Sequence, residues 1–80
     1  LVGLLPHDED LRLPEGAQVV GTAELPEAPV PMLGHVTSSY RSAELGRTFA
    51  HALVRAGRER IGQTLHVPIG GTTVPVEVVA

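Results

Sequence analysis

The sequence predicts a small all-β domain. Seven prolines and nine glycines divide its 80 residues into short segments, which is the pattern of short strands joined by turns. The clearest strand signal lies near the end, where apolar and polar residues alternate from 64 to 69 before Gly70-Gly71. Since side chains alternate between the two faces of a strand, residues 65–69 and 74–78 are expected to form an antiparallel hairpin with one apolar face.

The register of that hairpin depends on its turn. A four-residue loop places Ile69 opposite Val74, whereas a two-residue Gly70-Gly71 turn places Ile69 opposite Thr72. Both turns keep the apolar side chains of the hairpin on one side, where cross-strand pairs stabilise a sheet. Local sequence leaves both registers open.

Three further strands are expected in the first half of the chain. Residues 1–5 form an apolar segment that ends at a proline, and residues 17–21 follow a Pro-Glu-Gly turn. Residues 32–40 form the third segment, in which strict alternation puts even-numbered residues on one face and odd-numbered residues on the other. Residues 22–31 contain three prolines and two glutamates, so they are expected to form a loop.

Residues 44–61 fit either a helix or a strand. Apolar or small residues recur at every fourth position from Phe49 to Ile61, which on local propensity favours an amphipathic helix. Two glycines inside the segment weaken that prediction, because each costs about 1 kcal/mol in a helix interior. In a strand, Phe49 would share a face with His51 and Leu53, and His51 would be expected to be a hydrogen-bonded core histidine.

Composition limits the classes of partner. Six arginines, no lysine and nine acidic residues give a net charge of -3, the opposite of the basic surface of a nucleic-acid-binding protein. The apolar runs are only a few residues long, whereas about 20 are needed to span a bilayer. The chain has no cysteine, so it has no disulfide or thiolate metal site. We expect a single domain over residues 1–80, without nucleic-acid or membrane partners, in the cytoplasm.

No pattern of catalytic or metal-binding residues stands out. The four histidines lie far apart in sequence and form no i, i+4 pair, which disfavours a metal site. Ser38 and Ser39 lack a Gly-x-Ser-x-Gly setting and a recognisable acidic partner for a catalytic triad. The acidic run at residues 8–10 lacks the glycine and distal glutamate of a calcium loop. We therefore predict no catalytic residue and no metal ligand in this chain.

One stretch resembles a known family. The sequence Gly-His-Val-Thr-Ser-Ser-Tyr at residues 34–40, followed by Ser-Ala-Glu-Leu-Gly-Arg at residues 42–47, resembles the C-terminal domain of the glycine cleavage T-protein (aminomethyltransferase) family. That family has Gly, a variable residue and Val-Thr-Ser, then Ser-Pro-x-Leu-Gly, so Ala43 stands where proline is usual. The resemblance covers nearly the whole chain, and its form is most similar to the α subunit of heterotetrameric sarcosine oxidase.

The resemblance implies a specific fold. Members have a six-stranded antiparallel barrel of Greek-key or jelly-roll character, here with one short helical turn. This makes residues 47–54 a strand, against local propensity, as tertiary context can do. The chain would then be one C-terminal barrel over residues 1–80 of a larger folate-dependent protein, in keeping with its beginning and ending inside apolar runs.

The resemblance also implies a function for the longer protein. Sarcosine would be demethylated at a flavin, and tetrahydrofolate would take up the one-carbon unit, with NAD as a further cofactor. Folate would be held mainly by the domain that precedes the barrel, so this chain alone would hold no cofactor and would not be an enzyme. Its partners would be that domain and the other oxidase subunits. Alternatives are an aminomethyltransferase, a dimethylglycine dehydrogenase relative, and a non-enzymatic interaction barrel.

The candidate cofactor-binding residues are Ser38, Ser39, Tyr40 and Arg41. They are expected to end a strand just before a turn, where a rigid scaffold can present polar groups to a ligand or a neighbouring domain. The Tyr40 ring can stack on a pterin or on the preceding domain, and Arg41 can offer a charge to the glutamate tail of folate. The structural alternative is that the serines make the turn and Tyr40 covers the barrel rim.

Overall fold

A computed structural model describes residues 1–21 and 32–80, and the predicted loop at residues 22–31 lies outside the described residues. Within this part of the chain the fold is all-β, as predicted. The elements are β1 (Val2–Pro6), β2 (Gln18–Val19), β3 (Gly34–Ser42), β4 (Arg47–Val54), a 3-10 helix (Gly57–Arg60), β5 (Thr64–Ile69) and β6 (Thr72–Val79). The three predicted strands of the first half are all present, with ends that differ by one or two residues.

The six strands form one antiparallel sheet in the order β2-β3-β4-β1-β6-β5. Its two edges meet at Val20, which directly follows β2 and exchanges two backbone hydrogen bonds with His66 of β5, each with an N···O distance of 2.8 Å. This bridge wraps the sheet around a single interior, as in a small barrel. The barrel-like all-β fold implied by the resemblance is therefore confirmed.

The interior is aliphatic. Inward and outward side chains alternate along most of the strands, and the cluster of buried side chains is Val2, Leu4, Leu13, Val19, Val36, Ala50, Ala52, Leu65, Val67, Val76 and Val78. The two aromatic residues of the sequence, Tyr40 and Phe49, are absent from this cluster. The core therefore depends on close packing of branched side chains, each worth about 1.5–3 kcal/mol when fully buried.

Strand β4 is the segment for which local sequence favoured a helix. It pairs with β3 on one side and β1 on the other, so its backbone groups are satisfied by two ladders. The chain leaves β4 through Ala56, which has a positive φ of 54°, and Gly57 then packs against Val2, whose Cγ1 lies 2.7 Å from the position of an added Cβ. The strand predicted at residues 47–54 is confirmed with the same bounds, and the helix that local propensity alone favoured over residues 44–61 does not form, because these pairings outweigh local propensity.

The strict alternation expected along β3 is also wrong. The pairing register with β4 shifts between Val36 and Ser38, so Thr37 forms a β-bulge, the usual effect of one extra residue in a strand. Thr37 Oγ1 donates a hydrogen bond to the His51 carbonyl at 3.2 Å. As a result Val36 and Ser39 are both buried, although one is even-numbered and the other odd-numbered.

The C-terminal hairpin uses the shorter of its two predicted turns. Ile69 pairs with Thr72, and Val67 pairs with Val74, so the two-residue Gly70-Gly71 turn is confirmed and the four-residue loop is wrong. Gly70 has a φ of 60°, a conformation that glycine adopts without steric cost. The predicted antiparallel pairing of the two segments holds, with their valines facing the core.

Leu4 gives a direct test of the packed interior. Leu4→Ala is expected to lower the free energy of unfolding by about 2–5 kcal/mol, because it removes buried methyl groups and leaves a cavity. Leu45, in the turn after β3, is 57% exposed, so Leu45→Ala should change stability by no more than about 0.5 kcal/mol. Urea denaturation followed by circular dichroism measures both. Equal effects of the two substitutions would contradict the position of Leu4 in the core.

Candidate functional site

The four candidate residues lie inside β3 rather than at its end, because the strand continues to Ser42. They pair with the first half of β4, and the register places Ser38 opposite His51 and Tyr40 opposite Phe49. A turn at residues 43–46 follows. Pairing with β4, a central strand of the sheet, thus fixes the backbone of this segment.

The alternation of β3 separates the four side chains. Ser39 is buried, and its Oγ has no hydrogen-bond partner among the described residues. Its carbonyl oxygen accepts two hydrogen bonds from the Arg12 guanidinium, at 3.1 Å from Nε and 2.8 Å from Nη2. Ser39 therefore anchors the segment that precedes β2 and presents no hydroxyl to the outer surface.

On the outer face, Tyr40, Phe49 and His51 form what we call the aromatic cluster. The ring centroids lie 5.6 Å apart for Tyr40 and Phe49, and 5.1 Å apart for Phe49 and His51, the latter pair edge to face. Such geometries are favourable for aromatic pairs. Ser38 Oγ lies 3.3 Å from His51 Nδ1, within hydrogen-bond distance, and so fixes the ring at one end of the cluster.

His51 differs from the sequence-based expectation. It shares a face with Phe49 and Leu53, as a strand requires, but this is the outer face of the barrel and the residue is only half-buried. The prediction of a core histidine is wrong because the small side chains of Ala50 and Ala52 occupy the inner face. Its hydrogen-bond partner is Ser38 rather than a buried group.

Gly3 of β1 forms the floor beneath the aromatic cluster. A Cβ added at Gly3 would lie 2.7 Å from Phe49 Cζ and 2.9 Å from Val79 Cγ2, closer than real side-chain atoms approach. The ring of Phe49 thus lies directly across the glycine backbone. Sequence reasoning missed this contact, and its only signal was a glycine inside an apolar strand, which often marks a close approach.

Two ion pairs lie beyond Tyr40 at the rim of the barrel. Arg41 Nη1 lies 3.1 Å from Asp10 Oδ1, and Arg47 Nη1 lies 3.7 Å from Glu9 Oε1. Arg41 and Asp10 are both mostly exposed, so their pair contributes at most about 1 kcal/mol. The guanidinium of Arg41 therefore stays available to a second anionic partner, whereas Arg47 is half-buried and also donates to the Pro6 carbonyl.

Within residues 1–21 and 32–80, no three His, Asp or Glu side chains come together as a metal site would require. In the same part of the chain, no helix is long and apolar enough to cross a membrane. The groups that this site presents are an aromatic surface, the Tyr40 phenol, the His51 imidazole and the Arg41 guanidinium. Such groups can bind and orient a planar or anionic partner.

Comparison with known proteins agrees with this architecture. A family model described as the glycine cleavage T-protein C-terminal barrel domain matches residues 1–80. The chain belongs to this family. The sarcosine oxidase subunit alpha of Corynebacterium sp. strain U-96 is 49% identical over 79 residues, which cover 98% of this chain and 8% of that protein. The subunit of the same name from strain P-1 is 53% identical over 78 residues, covering 95% of this chain and 8% of that protein.

These findings confirm the family resemblance read from residues 34–47, and the chain spans 8% of the length of the relatives it matches. In this T-protein-type barrel, Ala43 replaces the usual proline of the turn. The turn is closed by Ser42, whose carbonyl accepts from the Gly46 amide at 2.9 Å and whose Oγ accepts from the Leu45 amide at 3.2 Å. The serine thus holds the turn without the fixed φ of proline.

Alanine substitutions at two glycines test the contact between the Phe49 ring and the backbone of β1. Gly3→Ala is expected to lower the free energy of unfolding by about 1–3 kcal/mol, since the new methyl group collides with Phe49 and Val79. Gly71 has open space around it, so Gly71→Ala should be neutral or stabilise by up to about 1 kcal/mol. Thermal unfolding of both variants makes the comparison. A neutral Gly3→Ala would mean that the ring does not rest on β1.

Proposed function

We propose that this chain is the accessory barrel of a sarcosine oxidase α-subunit-like protein that demethylates sarcosine oxidatively and transfers the one-carbon unit to tetrahydrofolate. The observation that carries the proposal is the identity of 49% and 53% with two sarcosine oxidase α subunits over nearly the whole chain. The barrel itself is not catalytic in this proposal. It supports a site that the rest of the longer chain provides.

The inner surface of the barrel does not fit a flavin or NAD. The described interior is filled by aliphatic side chains, whereas cofactor sites are concave and bury most of the ligand surface. The proposal therefore places flavin, NAD and most of the folate contacts in the rest of the protein. This chain would contribute one wall of the folate site, together with a contact to the preceding domain.

Tyr40 and Arg41 are the residues to which we assign the ligand-facing role. Tyr40 is 41% exposed, and its ring is held by Phe49, so it offers a rigid surface for stacking on a pterin or a neighbouring domain. Arg41 provides a charge that can bind the glutamate tail of folate. Ser38 and Ser39 act indirectly, since Ser38 is within hydrogen-bond distance of His51 and Ser39 is buried.

The match over residues 1–80 disfavours an unrelated interaction barrel. An aminomethyltransferase or a dimethylglycine dehydrogenase relative would use the same barrel beside folate. The identity of about one half with sarcosine oxidase α subunits supports the sarcosine assignment over these two. Oxidation assays with sarcosine and with dimethylglycine, together with an aminomethyl-transfer assay in the glycine cleavage system, distinguish the three.

Substitutions in the intact longer protein test the assigned residues. Tyr40→Ala and Arg41→Ala are expected to lower the yield of methylenetetrahydrofolate several-fold while leaving sarcosine oxidation unchanged, because only folate capture uses the barrel. Tyr40→Phe keeps the ring and should have a smaller effect, equal to the loss of one hydrogen bond of about 0.5–1.5 kcal/mol. Arg58 is an exposed arginine of the 3-10 helix, and Arg58→Ala is the matched control.

Product analysis under single turnover, with tetrahydrofolate in excess, measures the partition of the one-carbon unit between methylenetetrahydrofolate and free formaldehyde. The assigned roles are wrong if Tyr40→Phe, Tyr40→Ala and Arg41→Ala all give the wild-type partition. Residues 38–41 would then be purely structural.

The isolated 80-residue chain is expected not to bind tetrahydrofolate with useful affinity. One wall of a site lacks the concavity that buries most of a ligand surface. Calorimetric titration of the chain with tetrahydrofolate should give no heat beyond dilution. Micromolar binding to the isolated chain would show that the folate site lies in the barrel itself and would reverse the proposed division of roles.

A further inference from the structure

The outer side of the central strands carries an apolar surface that the barrel itself does not cover. On β4 the outward side chains include Phe49 and Leu53, and Leu53 is 49% exposed. Together with Leu1, Tyr40 and Val79 they form what we call the outer apolar face. Isolated exposed apolar residues are ordinary on a protein surface, but a contiguous apolar patch marks an interaction site.

The outer apolar face is continuous across three neighbouring strands. In the sheet β1 lies between β4 and β6, and Gly3 pairs with His51 on one side and Val79 on the other. Phe49 Cζ and Val79 Cγ2 both lie within 2.9 Å of the point where a Gly3 Cβ would be. The side chains of β4 and β6 therefore approach each other above the glycine, next to the imidazole of His51, the cross-strand partner of Gly3.

The first residue of the chain lies at one end of this face. Val2 pairs with Ala52, so extending the register by one residue places Leu1 beside Leu53. Leu1 is 77% exposed and follows the same alternation as Gly3, toward the outer side. Any polypeptide that precedes Leu1 thus begins at the border of the outer apolar face.

We propose that the outer apolar face is the docking surface for the domain that precedes Leu1 in the longer polypeptide. This rests on the proposed function, in which the barrel follows a larger domain. The matched relatives are about twelve times as long as the aligned segment, which makes up 8% of them. A tether that starts beside the face keeps the two surfaces at a millimolar effective concentration, which adds to the affinity of the apolar contact itself.

The chemistry of the face defines the partner surface. Its centre is apolar and aromatic, with the half-buried His51 between Phe49 and Leu53, and the exposed Glu77 of β6 lies at its rim. This is the arrangement of a protein interface with an apolar centre and a polar rim. The preceding domain is expected to meet it with aliphatic or aromatic side chains, and to offer a hydrogen-bond partner to the Tyr40 hydroxyl.

The test uses the full-length protein with a specific protease site inserted immediately before Leu1. After cleavage, the wild-type barrel is expected to stay associated with the rest of the protein during size-exclusion chromatography. Leu53→Asp should release it, raising the dissociation constant at least 100-fold, because a carboxylate would be buried in the apolar contact. Leu45→Asp is the matched control, since Leu45 is similarly exposed but lies in the turn at residues 43–46; it should leave the barrel attached.

A second, uncharged substitution distinguishes loss of the contact from loss of the fold. Leu53→Ala removes the contact without adding a charge and is expected to raise the dissociation constant about tenfold, which corresponds to about 1.4 kcal/mol. Hydrogen exchange of the inner strand residues Ala50 and Val76 should be unchanged in this variant. An unchanged dissociation constant in Leu53→Ala, with the barrel retained in Leu53→Asp as in Leu45→Asp, would overturn the proposal.

Three further outcomes separate this inference from the proposed function. If Leu53→Asp changes the stoichiometry of the uncleaved protein without releasing the cleaved barrel, the face binds a second copy and the docking proposal fails. If the face docks the barrel but methylenetetrahydrofolate yield is the same with and without the barrel, the proposed function fails and the docking surface stands. If removal of the barrel lowers the methylenetetrahydrofolate yield but the Leu53 substitutions leave the dissociation constant unchanged, the docking proposal fails and the proposed function stands.

Discussion

The position of β1 between β4 and β6 is the constraint on which the rest of the barrel depends. Val2 and Leu4 of this strand fill the interior, its backbone satisfies two neighbouring ladders, and Gly3 supports the rings on the outside. One five-residue strand thus fixes both the aliphatic core and the aromatic cluster. A disturbance of β1 reaches both faces of the sheet, since the inner and outer side chains share the same backbone.

The distribution of side-chain size follows from this arrangement. The inner surface of β4 carries Ala50 and Ala52, small enough for a narrow interior, whereas the outer surface carries Phe49 and His51. The large rings therefore contribute their contact area to the outside, where a partner can share it. Both aromatic rings of the sequence thus lie on one outer surface, where they would be the main apolar anchors for the docking that we propose.

Sequence patterns predicted the elements whose signals are local. The C-terminal hairpin followed from alternation and a glycine pair, and a family resemblance placed β4 in the sheet. The bulge at Thr37, the outward direction of His51 and the contact of Phe49 with Gly3 could not be predicted in this way. Each depends on pairing between residues distant in the chain, and a one-residue shift in register turns every later side chain to the other face. The candidate residues 38–41 were identified as a segment, but only the bulge decides which of them face outward.

The pairing of β1 with β6 has a consequence for synthesis of the protein. Gly3 pairs with Val79, so the first strand of this domain acquires one of its two neighbours only when the last strand has left the ribosome. Contacts between such distant segments carry a high loop-closure cost and form late. The barrel can therefore close only after β6 has been synthesised, and a chain truncated before β6 would leave β1 without one of its two neighbours.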